Sequence, residues 1–584
     1  MAEPLRIWRS PYSHFGRLLK KPDEFLDETI TALSAYTDEQ LSEIAGNGFN
    51  AIWIYGLLQN IADSGVFPTF GRNAAIHQEN IQKLINRAAF YNLKVYILMQ
   101  PPRALDVEDS FWSLNPEAGG QETDFQTDDG FSIRMRSLCT STQAVKDYLY
   151  KASAELAGTL PGLGGVILIT ASEFPSHCYG KLGTMPDSSG NLQTESIKCS
   201  RCSKHTPAEI IGGIIHLVRN GIRSVSGKMN IIVWNWSWTA HYPSPSDEII
   251  RILPEDVIVM AGFEQGGKKQ ILGKERIIDE YSLSYSGPSE PFQDTLRSLK
   301  ARNLRMMAKL QIGTTHELAT VPNLPLIGNL YNKARALRQN GVTDFLACWN
   351  FGNMISINTS AFNYFMKESA LPEKQGALEL FAQSYFPGCR TDQVLQAWKS
   401  FESAMDSYPF GTSFLYSGPL NYVLAYPLVH QKVSSADTGR SWLMDKRGDN
   451  LEKSITEYTL GEVISGLDSL TGQWEKGLPL LEAGLNGIDS PEKTKEINTA
   501  RACFHIFRSG RNTYQAYRLN RRWRKSDSAE FLKIAQDELE NLREVLPIVS
   551  GDKRLGFHSE VQDYMFTPAL IQTKIASLES MLNG

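Results

Sequence analysis

The chain has 584 residues, 42% of them hydrophobic, and a formal net charge of −5. That length exceeds an ordinary single domain and predicts about two or three, and the acidic balance removes the electrostatic case for a nucleic-acid partner. No apolar run approaches the roughly 20 residues of a membrane-crossing helix, so no membrane is expected either. The start, Met1-Ala2-Glu3-Pro4-Leu5-Arg6-Ile7-Trp8, lacks a basic segment followed by an apolar one. The expectation is a cytoplasmic protein, or a secreted or periplasmic one whose signal has been removed.

Taken in order, apolar strand-like runs alternate with amphipathic helical patterns up to about residue 357. Leu5 to Trp8 is a short first strand. Thr37-Asp38-Glu39 caps a helix that leads into Gly48 to Tyr55, the second strand. A helix from about His77 to Tyr91 precedes Lys94 to Met99, the third. A long loop rich in Gly, Asp and Gln follows, then a helix from about Thr142 to Ala157. The fourth strand is Gly164-Gly165-Val166-Ile167-Leu168-Ile169, and it runs on to Ser172-Glu173-Phe174. Apolar and β-branched residues without alternation are the pattern of a strand buried on both faces.

The alternation then repeats. A helix begins at Thr206-Pro207, with Pro in its first turn, and runs to about Arg223. Asn230 to Trp238 gives the fifth strand and Asp256 to Met260 the sixth, ending near Phe263-Glu264. A helix over about Pro291 to Ala301 leads to the seventh, Arg305 to Ile312, which ends in Thr314-Thr315-His316-Glu317. The helix over Gly328 to Arg338 precedes the eighth, Asp344 to Gly352. Eight such units predict a (β/α)8 TIM barrel over 1–357. A doubly wound sheet would want a Gly-rich turn after the first strand, which is missing. Beyond residue 358 helical patterns dominate, predicting a mainly α-helical domain over 358–584. Its basic stretch, Arg508 to Lys525, reads as a solvated helix face.

A parallel barrel does its chemistry at the C-terminal rim, so the strand ends nominate the site. Glu173 comes from strand four and Glu317 from strand seven. Either could instead cap a neighbouring element, but two carboxylates at one mouth suit glycosidic cleavage, where one protonates the leaving group and another handles the cation. Phe174-Pro175 gives Glu173 an apolar setting that favours the protonated acid. His316 and two Thr residues give Glu317 a polar one. Candidate substrate contacts are Arg9, His14, Tyr55, Asn235, Trp236, Trp238, Glu264, His316, Trp349 and Asn350, the Trp rings as stacking platforms and the polar groups as hydroxyl readers. Carbohydrate is the expected partner, and a homo-oligomer is compatible with the chain.

Seven cysteines spread over this length do not form a disulfide framework. Cys178 and the pair Cys199 and Cys202, spaced Cys-x2-Cys, read as a structural zinc site. Cys139 or His205 completes it. A site of that kind leaves no coordination position for substrate, so no cofactor is expected in catalysis.

These features resemble the TIM-barrel glycoside hydrolases, in which the acid Glu ends strand four. The Ser172-Glu173 pair and the Trp-rich fifth strand look most like the hexosaminidase-type barrels, which carry Asp-Glu there and use the substrate's acetamido group as nucleophile. Ser172 departs from that pair. The strand-four and strand-seven glutamates are also similar to retaining barrels with an enzyme nucleophile, although those usually have Asn before the acid. Trp236, Trp238 and Trp349 with Asn235 and Arg9 suggest a pocket around a single terminal sugar, so the expectation is a retaining, exo-acting β-glycosidase, on a β-N-acetylhexosaminide first. A non-catalytic carbohydrate-binding barrel is the alternative from another class.

Overall fold

The computed structural model describes residues 3–13, 28–126, 132–172, 174–180, 184–186, 192–194, 197–349, 352–367, 371–429, 442, 451–521 and 528–583. They form two compact units, one of Met1–Phe263, Glu290–Lys309 and Val342–Leu346, the other of Glu264–Ser289, Leu310–Gly341 and Ala347–Gly584.

The first unit contains a closed barrel of eight strands. They are β1 (Arg6–Trp8), β2 (Ala51–Tyr55), β3 (Lys94–Met99), β4 (Gly165–Ile169), β5 (Asn230–Trp234), β6 (Ile258–Gly262), β7 (Arg305–Lys309) and β8 (Asp344–Leu346). Every neighbouring pair is parallel, and β1 closes the ring by pairing with both β2 and β8. The eight runs read from the sequence are these strands. Strands β5, β7 and β8 end earlier than their runs, at Trp234, Lys309 and Leu346, so Trp238 and Glu317 lie beyond the strands, Trp238 in a 3-10 turn.

Burial explains the run pattern. All five residues of β2 and of β4 are buried, which requires apolar side chains on both faces. The glycines that open β4 answer to packing: a Cβ on Gly165 would lie 2.2 Å from the Asn230 carbonyl oxygen of β5. The same economy joins two helices of this unit, α3 (Gln143–Thr159) and α4 (Pro207–Arg223), where a Cβ on Gly221 would lie 2.2 Å from the Tyr150 carbonyl. Helix α4 starts as its sequence predicts, with Pro207 in the first turn and a capping box between Thr206 and Glu209. Thr37 likewise caps α1 (Asp38–Gly46), accepting from the Gln40 N–H. Helices α2 (Ala74–Phe90) and α5 (Glu290–Ala301) precede β3 and β7.

The segment between β3 and α3 differs from its reading as a loop. It holds an antiparallel sheet in which Ser132–Leu138 lies between Leu105–Asp106 and Gly119–Gln126. The polar run Gly-Gly-Gln-Glu-Thr-Asp-Phe-Gln has little apolar surface to announce a strand, and cross-strand pairing supplies what periodicity does not.

The second unit is largely helical: α6 (Ile327–Gln339), α7 (Lys374–Tyr385), α8 (Thr391–Ala404), α9 (Leu460–Gly484), α10 (Pro491–Arg521), α11 (Ser528–Gly551) and α12 (Pro568–Asn583). Among its described residues is also a hairpin, Gly267–Ile271 with Lys274–Ile278. The basic face of α10 is laced by ion pairs: Arg508 and Arg511 meet Asp537 at 2.7 and 2.8 Å, and Arg518 meets Glu530 at 2.8 Å. Below them Lys574 of α12 is bonded to Glu538 of α11 at 2.6 Å in the bundle core. No helix among the described residues is long and apolar enough to cross a membrane.

Candidate functional site

Glu173, His14 and Asn350 lie outside the described residues. The residues on either side of Glu173 are described. Ser172 Oγ accepts from the Phe174 N–H at 3.3 Å and from the Gln100 amide at 3.2 Å. The Gln100 oxygen in turn accepts from Arg103, and from the Tyr55 hydroxyl at 3.4 Å. Arg103 also donates to Tyr55 Oη at 2.9 Å and stacks over the Phe174 ring, 3.1 Å from its centroid. The ends of β2, β3 and β4 are therefore cross-linked through Tyr55, Gln100, Arg103 and Ser172. Gln100 was not anticipated; it follows β3 directly, and its place at the strand end was the available signal.

Arg9 plays a different part from an open hydroxyl reader. It is fully buried, its guanidinium forks onto Glu28 at 2.8 and 3.1 Å, and it stacks 4.1 Å from the centroid of Trp53. Glu28 also accepts from Ser13 and, at 2.8 Å, from the Tyr55 N–H. Burial pushes the Glu28 carboxyl up, and the Arg9 charge and these hydrogen bonds pull it back. The pair ties the end of β1 to β2. Nothing in the sequence marks Glu28 as its partner.

On the fifth strand's exit, Asn235 and Trp236 are half-buried, and Trp236 leans on Trp234 with ring centroids 5.6 Å apart. Ser237 then takes a left-handed conformation, φ 60°. That turn carries Trp238 inward, where it is 0% exposed and its indole N–H donates to Thr170 Oγ1 at 3.0 Å. An enclosed ring presents no stacking face, so Trp238 fixes the β4 and β5 exits to each other, while Trp236 keeps part of its ring exposed. His177 supports the same exit: it is buried beside the Thr170 carbonyl, and burial lowers its pKa to about 4.

In the second unit, Glu264 is also fully buried, contrary to a hydroxyl-reading role at an open rim. It accepts from Lys333 at 2.6 Å and from the Gln311 N–H at 2.9 Å, and Lys333 spends its other protons on the Ser282 and Gln311 carbonyls. Glu317, 1% exposed, has both carboxylate oxygens engaged. Oε1 accepts from Ser282 Oγ at 2.6 Å and the Ser284 N–H at 3.0 Å, and Oε2 from the Leu283 N–H at 3.1 Å and Thr315 Oγ1. Four donors match the roughly four lone-pair sites of an ionised carboxylate. His316 stacks on Trp442, centroids 4.8 Å apart and 7° from parallel, with Glu280 4.0 Å from its Nε2. Trp349 is half-buried.

The four sulfurs of Cys139, Cys178, Cys199 and Cys202, all in the first unit, lie within 4.8 Å of one another. Cys139 Sγ is 3.7 Å from Cys199 Sγ and 3.5 Å from Cys202 Sγ. A tetrahedron with metal–sulfur bonds of about 2.3 Å has edges of about 3.8 Å, so the spacing fits a thiophilic ion. Donors point at the sulfurs as they do around bound thiolates: the Gln121 N–H reaches Cys178 at 3.4 Å and Arg201 reaches Cys139 at 3.3 Å. Hydrogen bonds among the thiols pull Cys139 down and push Cys178 up, because thiols this close cannot all ionise without a cation. Gly120 is required there, since a Cβ would come 2.3 Å from Cys178 Sγ. His205 sits apart, half-exposed with Nδ1 3.7 Å from Glu209.

No family model matches the chain. No curated protein matches it either. Among solved structures it is similar to an O-GlcNAc hydrolase mutant from Thermobaculum terrenum, at 9% identity and a TM-score of 0.38, covering 94% of this chain and 92% of that one. It is similar to a glycoside hydrolase 5 lichenase from Caldicellulosiruptor sp. F32, at 14% identity and a TM-score of 0.37, covering 62% and 92%. It is also similar to a β-mannanase from the blue mussel Mytilus edulis, at 10% identity and a TM-score of 0.32, covering 57% and 84%.

Proposed function

We propose that the chain is a glycoside hydrolase, exo-acting on a β-linked terminal sugar such as an N-acetylhexosaminide. Catalysis belongs to the barrel portion, 1–357, with Glu173 as general acid/base and Glu317 as the carboxylate facing the developing cation. The observation that carries this reading is the exit of β4. Glu173 follows β4 in sequence, and its neighbours Ser172 and Phe174 are tied to Tyr55, Gln100 and Arg103, at the strand end where barrels of this class place catalytic groups. The half-buried Trp236 is the sugar platform, and Asn235 beside it reads a hydroxyl.

The saturation of Glu317 favours one branch of the mechanism. A carboxylate whose lone pairs all accept hydrogen bonds is a poor nucleophile and a good fixed charge. That supports an electrostatic role, with the substrate's own acetamido oxygen as the attacking group. Ser172, where hexosaminidase-type barrels carry Asp, then contributes a hydroxyl already bonded to Gln100.

We further propose zinc as the ion of the four-cysteine site, held by Cys139, Cys178, Cys199 and Cys202. A closed set of four thiolates supplies structural bracing and no chemistry at substrate.

The test is a panel of aryl glycosides of several sugars, run on the purified chain and on Glu173→Gln. Turnover of one sugar, lost or strongly reduced in the variant, supports the reading. Binding of a sugar with turnover of none would make the chain a carbohydrate-binding barrel.

A further inference from the structure

The second unit contains a cleft of ≈ 670 Å³ that none of the residues discussed so far needs for catalysis. That volume lies within the 300–1,000 Å³ usual for small-molecule sites. Leu378 of α7 and Leu395 and Trp398 of α8 contribute its apolar lining, and four lysines, Lys268, Lys269, Lys374 and Lys399, line it as well.

The charges do not cancel. Lys374 is 3.5 Å from Glu402, and Lys269 is 3.3 Å from Asp406 while also donating to the Ser284 and Met405 carbonyls. Lys268 and Lys399 have no acid partner among the described residues. Two ammonium groups are thus left over at one cleft.

Its wall is preformed. The Tyr285 ring lies against the backbone of Gly267, where a Cβ would come within 2.3 Å of the ring. The loop that carries Tyr285 is anchored on both sides. The Leu283 and Ser284 N–H groups donate to Glu317, and the Asn329 amide donates to the Leu283 and Ser284 carbonyls at 3.4 and 3.3 Å. A wall fixed in advance costs a ligand little ordering entropy.

We infer that this cleft binds an acidic saccharide, a sugar bearing a carboxylate or sulfate. Its oxyanion pairs with Lys268 and Lys399, its C–H face lies on Tyr285, and Ser286, Asn329 and Ser403 meet its hydroxyls. Flat carbon surface interleaved with short polar groups suits a sugar ring, and the two surplus cations select a charged one. The assignment stands apart from the glycosidase reading, since no residue given a catalytic role touches the ligand.

The experiment is calorimetric titration of the full chain with glucuronate, glucose 6-sulfate, glucose and inorganic phosphate. Glucuronate or glucose 6-sulfate should bind, about ten-fold or more tighter than glucose or phosphate, and more weakly as salt is raised. Which of the two binds tighter identifies the oxyanion. Lys268→Ala and Lys399→Ala should each weaken binding about ten-fold, with melting temperature unchanged because both side chains are exposed and unpaired, and Lys268→Arg should retain it. Absence of binding by both acidic sugars would overturn the inference. So would equal binding of glucose or of inorganic phosphate, or undiminished binding in the Lys268→Ala/Lys399→Ala double variant.

Discussion

Cys139 Sγ and Cys202 Sγ lie 3.5 Å apart although 63 positions separate them in the chain. Cys139 follows the last strand of the rim sheet, and Cys202 opens the 3-10 turn just before α4. Whatever binds these sulfurs therefore clamps two excursions of the barrel on either side of α3 and β4. Purified protein is expected to carry about one zinc per chain by elemental analysis. Cys199→Ser or Cys202→Ser should lose the metal and lower the melting temperature together, because metal binding free energy is also folding free energy. Metal-free protein with an unchanged melting temperature in chelator would contradict it.

Arg9 and Glu28 give a second expectation. Removing one member of a buried pair leaves the other charge uncompensated, at a cost of about 3–5 kcal/mol. Arg9→Met should therefore unfold at markedly lower denaturant than the parent, and Arg9→Met/Glu28→Gln should recover much of the loss. If the single variant is as stable as the parent, the pair does not brace β1.

Glu496 of α10 predicts a pH dependence. It is buried, accepts from the Ile357 N–H at 3.3 Å, and burial raises its pKa to about 7, against a pull from Arg554. Unfolded, a Glu titrates near 4.3. Between those values the native state holds a proton the unfolded state has lost. Its contribution is complete below about pH 4 and declines as pH rises through about 7, by on the order of 3 kcal/mol in all. Burial holds His505 at about 4 and gives the opposite slope, so the readout is the difference between parent and Glu496→Gln. Relative to the parent, the variant should gain stability from pH 5 to pH 8. A constant difference would mean that Glu496 does not titrate in that window.

The barrel was legible because β strands buried on both faces must be apolar throughout, and eight such runs repeat. The four cysteines were legible because thiol chemistry restricts their use. The rim was harder to read. Trp236 and Trp238 look equivalent in sequence, yet a single left-handed residue, Ser237, sends one to the surface and the other into the core. Arg9 and Glu264 look like open polar groups until Glu28 and Lys333 arrive from distant segments. Such pairings depend on tertiary approach, which local pattern does not encode.

Glu317→Gln tests the fixed-charge role. The amide replaces one acceptor oxygen by a donor, facing hydroxyl and N–H groups that already donate, so the loop over Ser282 to Ser284 loses a partner. Stability should fall by about 1–3 kcal/mol, and turnover should fall on activated and natural glycosides alike. Unchanged stability with near-normal turnover would remove Glu317 from both roles.

Glu173 is the residue on which the proposed chemistry turns. A general acid is needed in proportion to the basicity of the leaving group. Glu173→Gln should therefore lose far less activity on an aryl glycoside with a good leaving group than on a natural glycoside. Azide should rescue Glu173→Ala, and the configuration of the glycosyl azide reports the route. Retention means a covalent or oxazoline intermediate, formed before azide attacks; inversion means direct displacement. Substrate choice separates the two retaining routes. If the acetamido group is the nucleophile, N-acetylhexosaminides should be cleaved and the matching hexosides lacking the acetamido group should not. Equal turnover of both would instead require an enzyme nucleophile and return that role to a carboxylate. An equal loss for Glu173→Gln on activated and natural substrates would remove the acid role from Glu173.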